Sequence, residues 1–203
     1  MEVKRPARRT QAERTAATRA QLLEAARKLF ATTGFGEVST QAIVEAAGVT
    51  RGALYHQFAD KAELFAAVHE QVEAELVAEV GEAVAAAAPG GALAAMRVGA
   101  RQFLDRCAAP EVQQIILIDA PSVLGWERWR EVGLKYGLGV IETMLARAIA
   151  DGEIPEQPVR PTAHVVLGAL DEAALYVSRA ADPQRARAEM DAVCERLIAG
   201  IAG

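Results

Sequence analysis

Between Ser39 and Phe58 the chain reads STQAIVEAAGVTRGALYHQF, and this stretch leaves few folds open. Ser39 or Thr40 can cap a first short helix and Thr50 a second, because a hydroxyl at that position accepts an otherwise orphaned backbone N–H. Ile43, Val44 and Ala47 share one face of the first helix, and Leu54 and Phe58 share one face of the second at an i, i+4 spacing. Gly48 stands between them, where a positive φ is cheapest. Two short helices joined by a tight turn have the sequence form of a helix-turn-helix, whose second helix enters the major groove of a duplex.

The rest of the chain frames that pair with more helices. Apolar residues make up 52% of the 203, Ala is abundant and β-branched runs are short, so helices packed on helices are expected rather than sheet. Residues 1–14 lack apolar periodicity and read as a basic flexible arm. Leu22, Ala26, Leu29, Phe30 and Thr33 mark a first helix that begins near Thr15 or Thr18 and stops at Gly34. Asp60, with Glu63 three residues on, caps a long fourth helix that ends at the Pro89-Gly90-Gly91 break. Further helices are expected over Leu93 to Ala108, Glu111 to Asp119, Trp126 to Ala150, Thr162 to Ala180 and Pro183 to Ala202, with an interruption from Pro121 to Gly125. The expected fold is all-α with about nine helices: residues 15–61 a three-helix DNA-binding domain, residues 62–203 a helical domain for ligand binding and dimerisation.

Charge separates the same two regions. Residues 1–61 hold ten Lys or Arg against six acids, whereas the remaining 142 hold twelve against twenty-one. One end attracts a polyanion and the other repels it. Arg51, Gly52, Ala53, Tyr55 and His56 lie on the face of the third helix left free by its apolar residues. Arg51 can donate two hydrogen bonds to a guanine edge, Ala53 can touch a thymine methyl, and Gly52 permits close approach. Thr50, Tyr55 and His56 carry donors that fix register on phosphates, as does Lys61, and Ser39, Thr40 and Gln41 can act likewise from the crossing helix.

At the residue level the segment from Gly34 to Phe65, GFGEVSTQAIVEAAGVTRGALYHQFADKAELF, resembles the DNA-binding region of the TetR (tetracycline-repressor) family through its AGVT-x-GxLYxxF-x-x-Kxx-L pattern. The resemblance covers about a quarter of the chain. It implies a one-component transcriptional regulator, usually a repressor, that binds a palindromic operator as a homodimer and lets go when a small molecule enters its C-terminal domain. It further implies that Thr50 to His56 form the recognition helix and that Tyr55, His56 and Lys61 meet phosphates. Ala53 departs from the pattern, since many members carry Thr or Ser there.

A two-turn recognition helix reads few base pairs, so a dimer is expected. Its interface is expected on two C-terminal stripes, one of Val166, Leu170, Ala173 and Val177 and one of Met190, Val193, Leu197 and Ile201. An effector pocket is expected around the aromatics Phe103, Trp126, Trp129, Tyr136 and Tyr176, with Arg128 and Arg130 read as solvated charges. The effector itself is expected to be partly apolar.

Other classes leave little trace. No Glu-x-x-His, completed HExxH, GxSxG, phosphate-binding glycine loop or strand-linked GxGxxG occurs, so neither catalysis, a metal nor a cofactor is expected. His69 and Glu73 in HEQVE read as a solvated helix face. Cys107 and Cys194 are far apart and read as inert packing in a reducing cytoplasm. No run approaches the roughly 18 apolar residues of a membrane span, so a soluble cytoplasmic protein is expected. A helical-bundle enzyme or metal-binding protein, and a DNA-binding regulator without a ligand, are the alternatives.

Overall fold

A computed structural model describes residues 10–88 and 90–201. Among them there are nine helices and no strands, which we number α1 to α9. The chain forms two compact units, 1–68 and 69–203, with the division inside the fourth helix.

In the first unit α1 spans Gln11–Thr33, α2 Thr40–Ala47 and α3 Arg51–Gln57, and α4 starts at Lys61 and runs to Ala87. The expected flexible arm falls mostly on residues outside the described ones, but its last part is helical. α1 starts at Gln11 because Thr10 and Glu13 form a capping box: Thr10 Oγ1 accepts the Glu13 N–H at 3.2 Å and the Glu13 carboxylate accepts the Thr10 N–H at 2.6 Å. Leu22, Ala26 and Phe30 of α1 pack with Ile43, Val44, Leu54 and Phe65 in a closed core. Phe30, Phe35 and Phe65 form an aromatic triangle with centroids 5.2 to 5.7 Å apart, two of its three sides edge-on.

In the second unit the remainder of α4 is followed by α5 (Ala92–Cys107), α6 (110–123), α7 (126–150), α8 (Val159–Ser178) and α9 (Pro183–Gly200). α6 corrects the expected stop at Pro121. Its middle, Gln113–Asp119, is π-helical, and the Ala120 N–H already reaches back five residues to the Ile115 carbonyl. The proline therefore follows a widened turn, and helical structure continues to Val123. α7 contains a second π-helical segment, Leu134–Leu138. At the start of α5 the Glu153 carboxylate accepts the N–H groups of Ala92 and Leu93 at 2.7 and 3.0 Å. Those two bonds hold its pKa below the usual carboxylate value. The core gathers Met96, Ala100, Leu138, Leu145, Ala148, Ala163, Leu167 and Ile198 from four helices.

The expected dimer stripes need correction. Ala173 and Val177 are only 3% and 5% exposed, so they close the protomer's own core. Val166, Leu170 and Ile201 also pack against that core, and Met190 is half-buried. The outer face of α8 lies one position away, at Val165 and Tyr176, where Val165 is 72% exposed. On α9 the exposed apolar residues are Val193 and Leu197. The 166/170/173/177 stripe has the right period, but period alone does not say whether a stripe faces its own core or a partner.

Candidate nucleic-acid interface and effector cavity

The two short helices are held at both ends by local chemistry. Ser39 Oγ accepts the Ala42 N–H at 3.1 Å, and Thr50 Oγ1 accepts the Ala53 N–H at 3.2 Å. Each hydroxyl retains its own hydrogen for a further acceptor. Gly48 turns the chain with φ +65°, and the following Val49 N–H closes on the Val44 carbonyl at 3.0 Å. A side chain here would be strained, since only glycine adopts this region without cost.

α3 is sharply two-sided. Leu54 and the following Phe58 are buried, while Arg51, Gly52, Tyr55 and His56 are exposed and Ala53 is half-buried. An added Cβ at Gly52 would meet nothing closer than 4.0 Å, so the helix surface is open there. Arg51 reaches along the helix to place its guanidinium carbon 5.7 Å from the Tyr55 ring centre. The Tyr55 pKa is drawn below its ordinary value first by a hydrogen bond with Arg51 and then by one with Thr40 of α2. Ser39, Thr40, Gln41, Thr50, Arg51, Gly52, Tyr55 and His56 thus occupy the starts and the free face of the helix pair. Gln41 spends its amide on Glu45, its Nε2 donating at 2.6 Å.

Lys61 has a different environment from the phosphate contact expected of it. Its ammonium donates to the carbonyls of Phe35 and Val38, both at 2.8 Å, and lies 4.0 Å from the Phe35 ring centre. It ties the loop before α2 to the first turn of α4. That turn is capped by Asp60, whose Oδ1 accepts the Glu63 N–H at 2.8 Å.

The second unit contains a pocket of about 420 Å³ with an almost wholly aliphatic wall, open to solvent beside the exposed Val165 and Leu197. Val80 and Val84 of α4, Met96 of α5, Met144 of α7 and Val166 of α8 are among its lining, with Phe103 the only aromatic side chain there. Trp126, Trp129, Tyr136 and Tyr176, expected to line a pocket, do not line this one. Trp126 is 62% exposed, Tyr136 donates its hydroxyl to Glu70 at 3.0 Å, and Tyr176 lies on the outer face of α8. Trp129 is buried, 4.9 Å from Trp126 between ring centres. Glycines 81, 99 and 137 in the cavity wall are the sequence trace that was available, since small residues on facing helices leave room between them.

HEQVE is the larger surprise, for it is not a solvated face. His69 is 1% exposed and Glu73 is 8% exposed. Neither ring nitrogen of His69 has a hydrogen-bond partner among the described residues. Burial lowers the His69 pKa to about 4, with Glu70 opposing and Arg128 adding to the shift. Burial raises Glu73 to about 7, helped by the charge of Asp171. Arg130 likewise is not a solvated charge: its Nη1 meets Asp171 Oδ2 at 2.5 Å in a largely buried ion pair. Asp171 is nevertheless raised to about 6, because desolvation outweighs the opposing charge and hydrogen bond of Arg130. Cys107 and Cys194 are buried free thiols, and burial pushes the Cys107 pKa well up.

Residues 22–68 match the family described as bacterial regulatory proteins, tetR family, and residues 93–201 match the tetracyclin repressor-like C-terminal domain. The chain belongs to the TetR family. A crystal structure of a TetR-family transcriptional regulator from Pectobacterium atrosepticum superposes with a TM-score of 0.83 at 31% identity, covering 96% of this chain and 98% of that one. Among curated TetR-type relatives, the transcriptional regulator AcrR of Shigella flexneri is 33% identical over 100 residues, 49% of this chain and 46% of AcrR. The chain thus spans about half the length of that relative. The transcriptional repressor Rv1474c of Mycobacterium tuberculosis is 29% identical over 189 residues, 88% of this chain and 91% of that one. The all-α architecture with an N-terminal helix-turn-helix is that of the TetR family.

Proposed function

We propose that the chain is a ligand-responsive transcriptional repressor that binds a palindromic duplex operator as a homodimer and releases it when a small molecule occupies the aliphatic cavity. The observation that carries this reading is the two-sidedness of α3: Leu54 at 0% exposure locks one face while Arg51, Gly52, Tyr55 and His56 stand on the other. The names of the relatives, regulators and repressors of the helix-turn-helix type, support it. Arg51 would read a base edge, and the hydroxyls of Thr40, Thr50 and Tyr55 together with His56 would set the register on phosphates. We assign residues 15–61 to DNA binding and 62–203 to ligand binding and dimerisation. The outer faces of α8 and α9, with Val165, Tyr176, Val193 and Leu197, would join two copies so that two recognition helices meet successive grooves.

α4 carries both Lys61, which fixes the loop before α2, and the Glu73 to Val84 wall of the cavity. A ligand that fits one setting of this helix better than another would shift the population of DNA-competent dimers by its differential affinity. Among the described residues no helix is long and apolar enough to cross a membrane.

The deciding experiment selects purified protein against random duplexes at about 0.15 M salt, since affinity depends steeply on ionic strength. Enrichment of a palindrome with half-sites about one helical turn apart supports the reading. Enrichment of nothing above non-specific binding, with and without cell-extract small molecules, overturns it.

A further inference from the structure

Glu73 is the carboxyl group in the wall of the aliphatic cavity. It is nine-tenths buried, it lines the aliphatic cavity, and its carboxyl has no hydrogen-bond partner among the described residues. Leaving a carboxyl buried and unpaired is costly. Arg130 of α7, which borders the same small cavity as Glu73, is already paired with Asp171 of α8. Asp171 adds negative charge rather than relieving it, His69 one turn earlier on α4 is held neutral by burial, and Cys107 of α5 is held as the thiol.

Resting on the effector-cavity reading above, we propose that the effector is a primary alkylamine, its ammonium held by the Glu73 carboxylate and its hydrocarbon tail by the aliphatic wall. The wall accounts for the tail: Val77, Val80, Val84, Met96 and Met144 present no hydrogen-bonding side-chain group. The other polar side chains of the lining belong to Thr162, Arg196 and the buried thiol Cys194. Thr162 donates its hydroxyl to the Pro158 carbonyl at 2.8 Å, and Arg196 is exposed. Head size follows from a smaller cavity of about 10 Å³ that shares Glu73 and Phe103 with the large one. Such a space holds about one water-sized group, which admits an –NH₃⁺ and excludes a trimethylammonium. Trp129 and Phe103 border it together with the Arg130–Asp171 pair, whose charges offset each other. A carboxylate head would instead meet Glu73, a group of its own sign, while Arg130 beside it is already paired with Asp171. Because Glu73 has its pKa raised to about 7, a bound ammonium that restores the carboxylate releases a proton at neutral pH.

The test is isothermal titration calorimetry of the full chain with nonylamine, 1-nonanol, nonanoate and nonyltrimethylammonium, four probes with one tail and different heads. Nonylamine is expected to bind at least tenfold tighter than the other three. Glu73→Gln is expected to reduce nonylamine to the level of nonanol and to leave nonanol unchanged. Titration of the wild-type chain at pH 7 in buffers of different ionisation enthalpy gives a second readout that needs no variant: proton release with nonylamine and none with nonanol. Nonanol or nonanoate binding as tightly as nonylamine overturns the amine assignment and leaves the effector cavity standing. No binding by any of the four overturns both.

Discussion

The Lys61 ammonium and the Val38 carbonyl are 2.8 Å apart, joining the residue just before the cap of α2 to the first turn of α4. A second bond of equal length to Phe35 and the ring beneath leave this lysine holding the loop from which the crossing helix starts. Lys61→Met is therefore expected to weaken binding to all duplexes and to lower the melting temperature, while the slope of log affinity against log salt stays unchanged. A slope shallower by about one would give Lys61 a phosphate contact instead.

On α3, Arg51 is exposed beside Tyr55 and reaches for nothing in the core. Arg51→Ala is expected to cost about 1 to 3 kcal/mol against the selected operator and to relax preference at one base-pair position. Uniform loss across all operator variants would falsify its role as a base reader. Its neighbour Thr50 acts through the fold: Thr50→Ala removes the bond to the Ala53 N–H and should lower stability by about 1 kcal/mol by denaturant titration.

Val165 and Leu197 are exposed apolar residues on α8 and α9. Val165→Arg with Leu197→Arg is expected to convert a dimer to a monomer in sedimentation equilibrium with little change in melting temperature. Val177→Arg, at a position buried in the protomer, should unfold the second unit. A dimer that survives the double substitution places the interface elsewhere.

His69 and Glu73 make opposite demands over one pH range. Unfolded Glu73 ionises near 4.5 and folded Glu73 near 7, so its contribution to stability is complete below 4.5 and is lost as pH rises to 7. His69 takes its proton near 6.5 unfolded and near 4 folded, so its contribution is complete above 6.5 and is lost as pH falls to 4. The two slopes oppose each other in the wild-type chain. Because Asp171 is also raised to about 6 and adds its own falling slope, the variants are read against the wild-type profile: the stability difference should rise from pH 4.5 to 7 for Glu73→Gln and fall from pH 4 to 6.5 for His69→Leu, each by about 2 to 3 kcal/mol. Chemical denaturation of the two variants across that range decides it. Parallel profiles for both would contradict the burial-driven shifts.

How far the sequence could be read depended on the range of the forces involved. Ser39, Gly48, Thr50 and Asp60 were legible because a cap or a left-handed turn is decided within three residues. Thr10 and Glu13 carried the same kind of signal, and the lack of apolar periodicity around them hid it. Pro121 misled because its usual consequence presumes an α-helical turn before it, and the turn there is wider. The aromatics of α7 misled for another reason. Trp126, Trp129 and Tyr136 do recur at helical spacing, but which helix faces another is settled by packing between distant segments. Glu73 lies between Val72 and Leu76 of the apolar stripe, and it reads as solvated from sequence because which flank of α4 other helices cover is settled by packing. The family pattern between Gly34 and Phe65 was fully legible, and it concerned only the helix-turn-helix.

The π-helical segment Leu134–Leu138 gives α7 a point at which its length can change. A widened turn holds one residue more than an α-helical turn, and the residues after it keep the direction the longer chain gives them. Removing one residue from this segment would let the helix close to regular α geometry with Ile141, Met144 and Leu145 still facing as they do. The same deletion a few residues later would swing everything beyond it by about 100°. Chain length in α7 is thus adjustable at this segment, where a single-codon deletion can reshape the cavity wall beside Gly137 and Leu167 without scrambling the helix that follows.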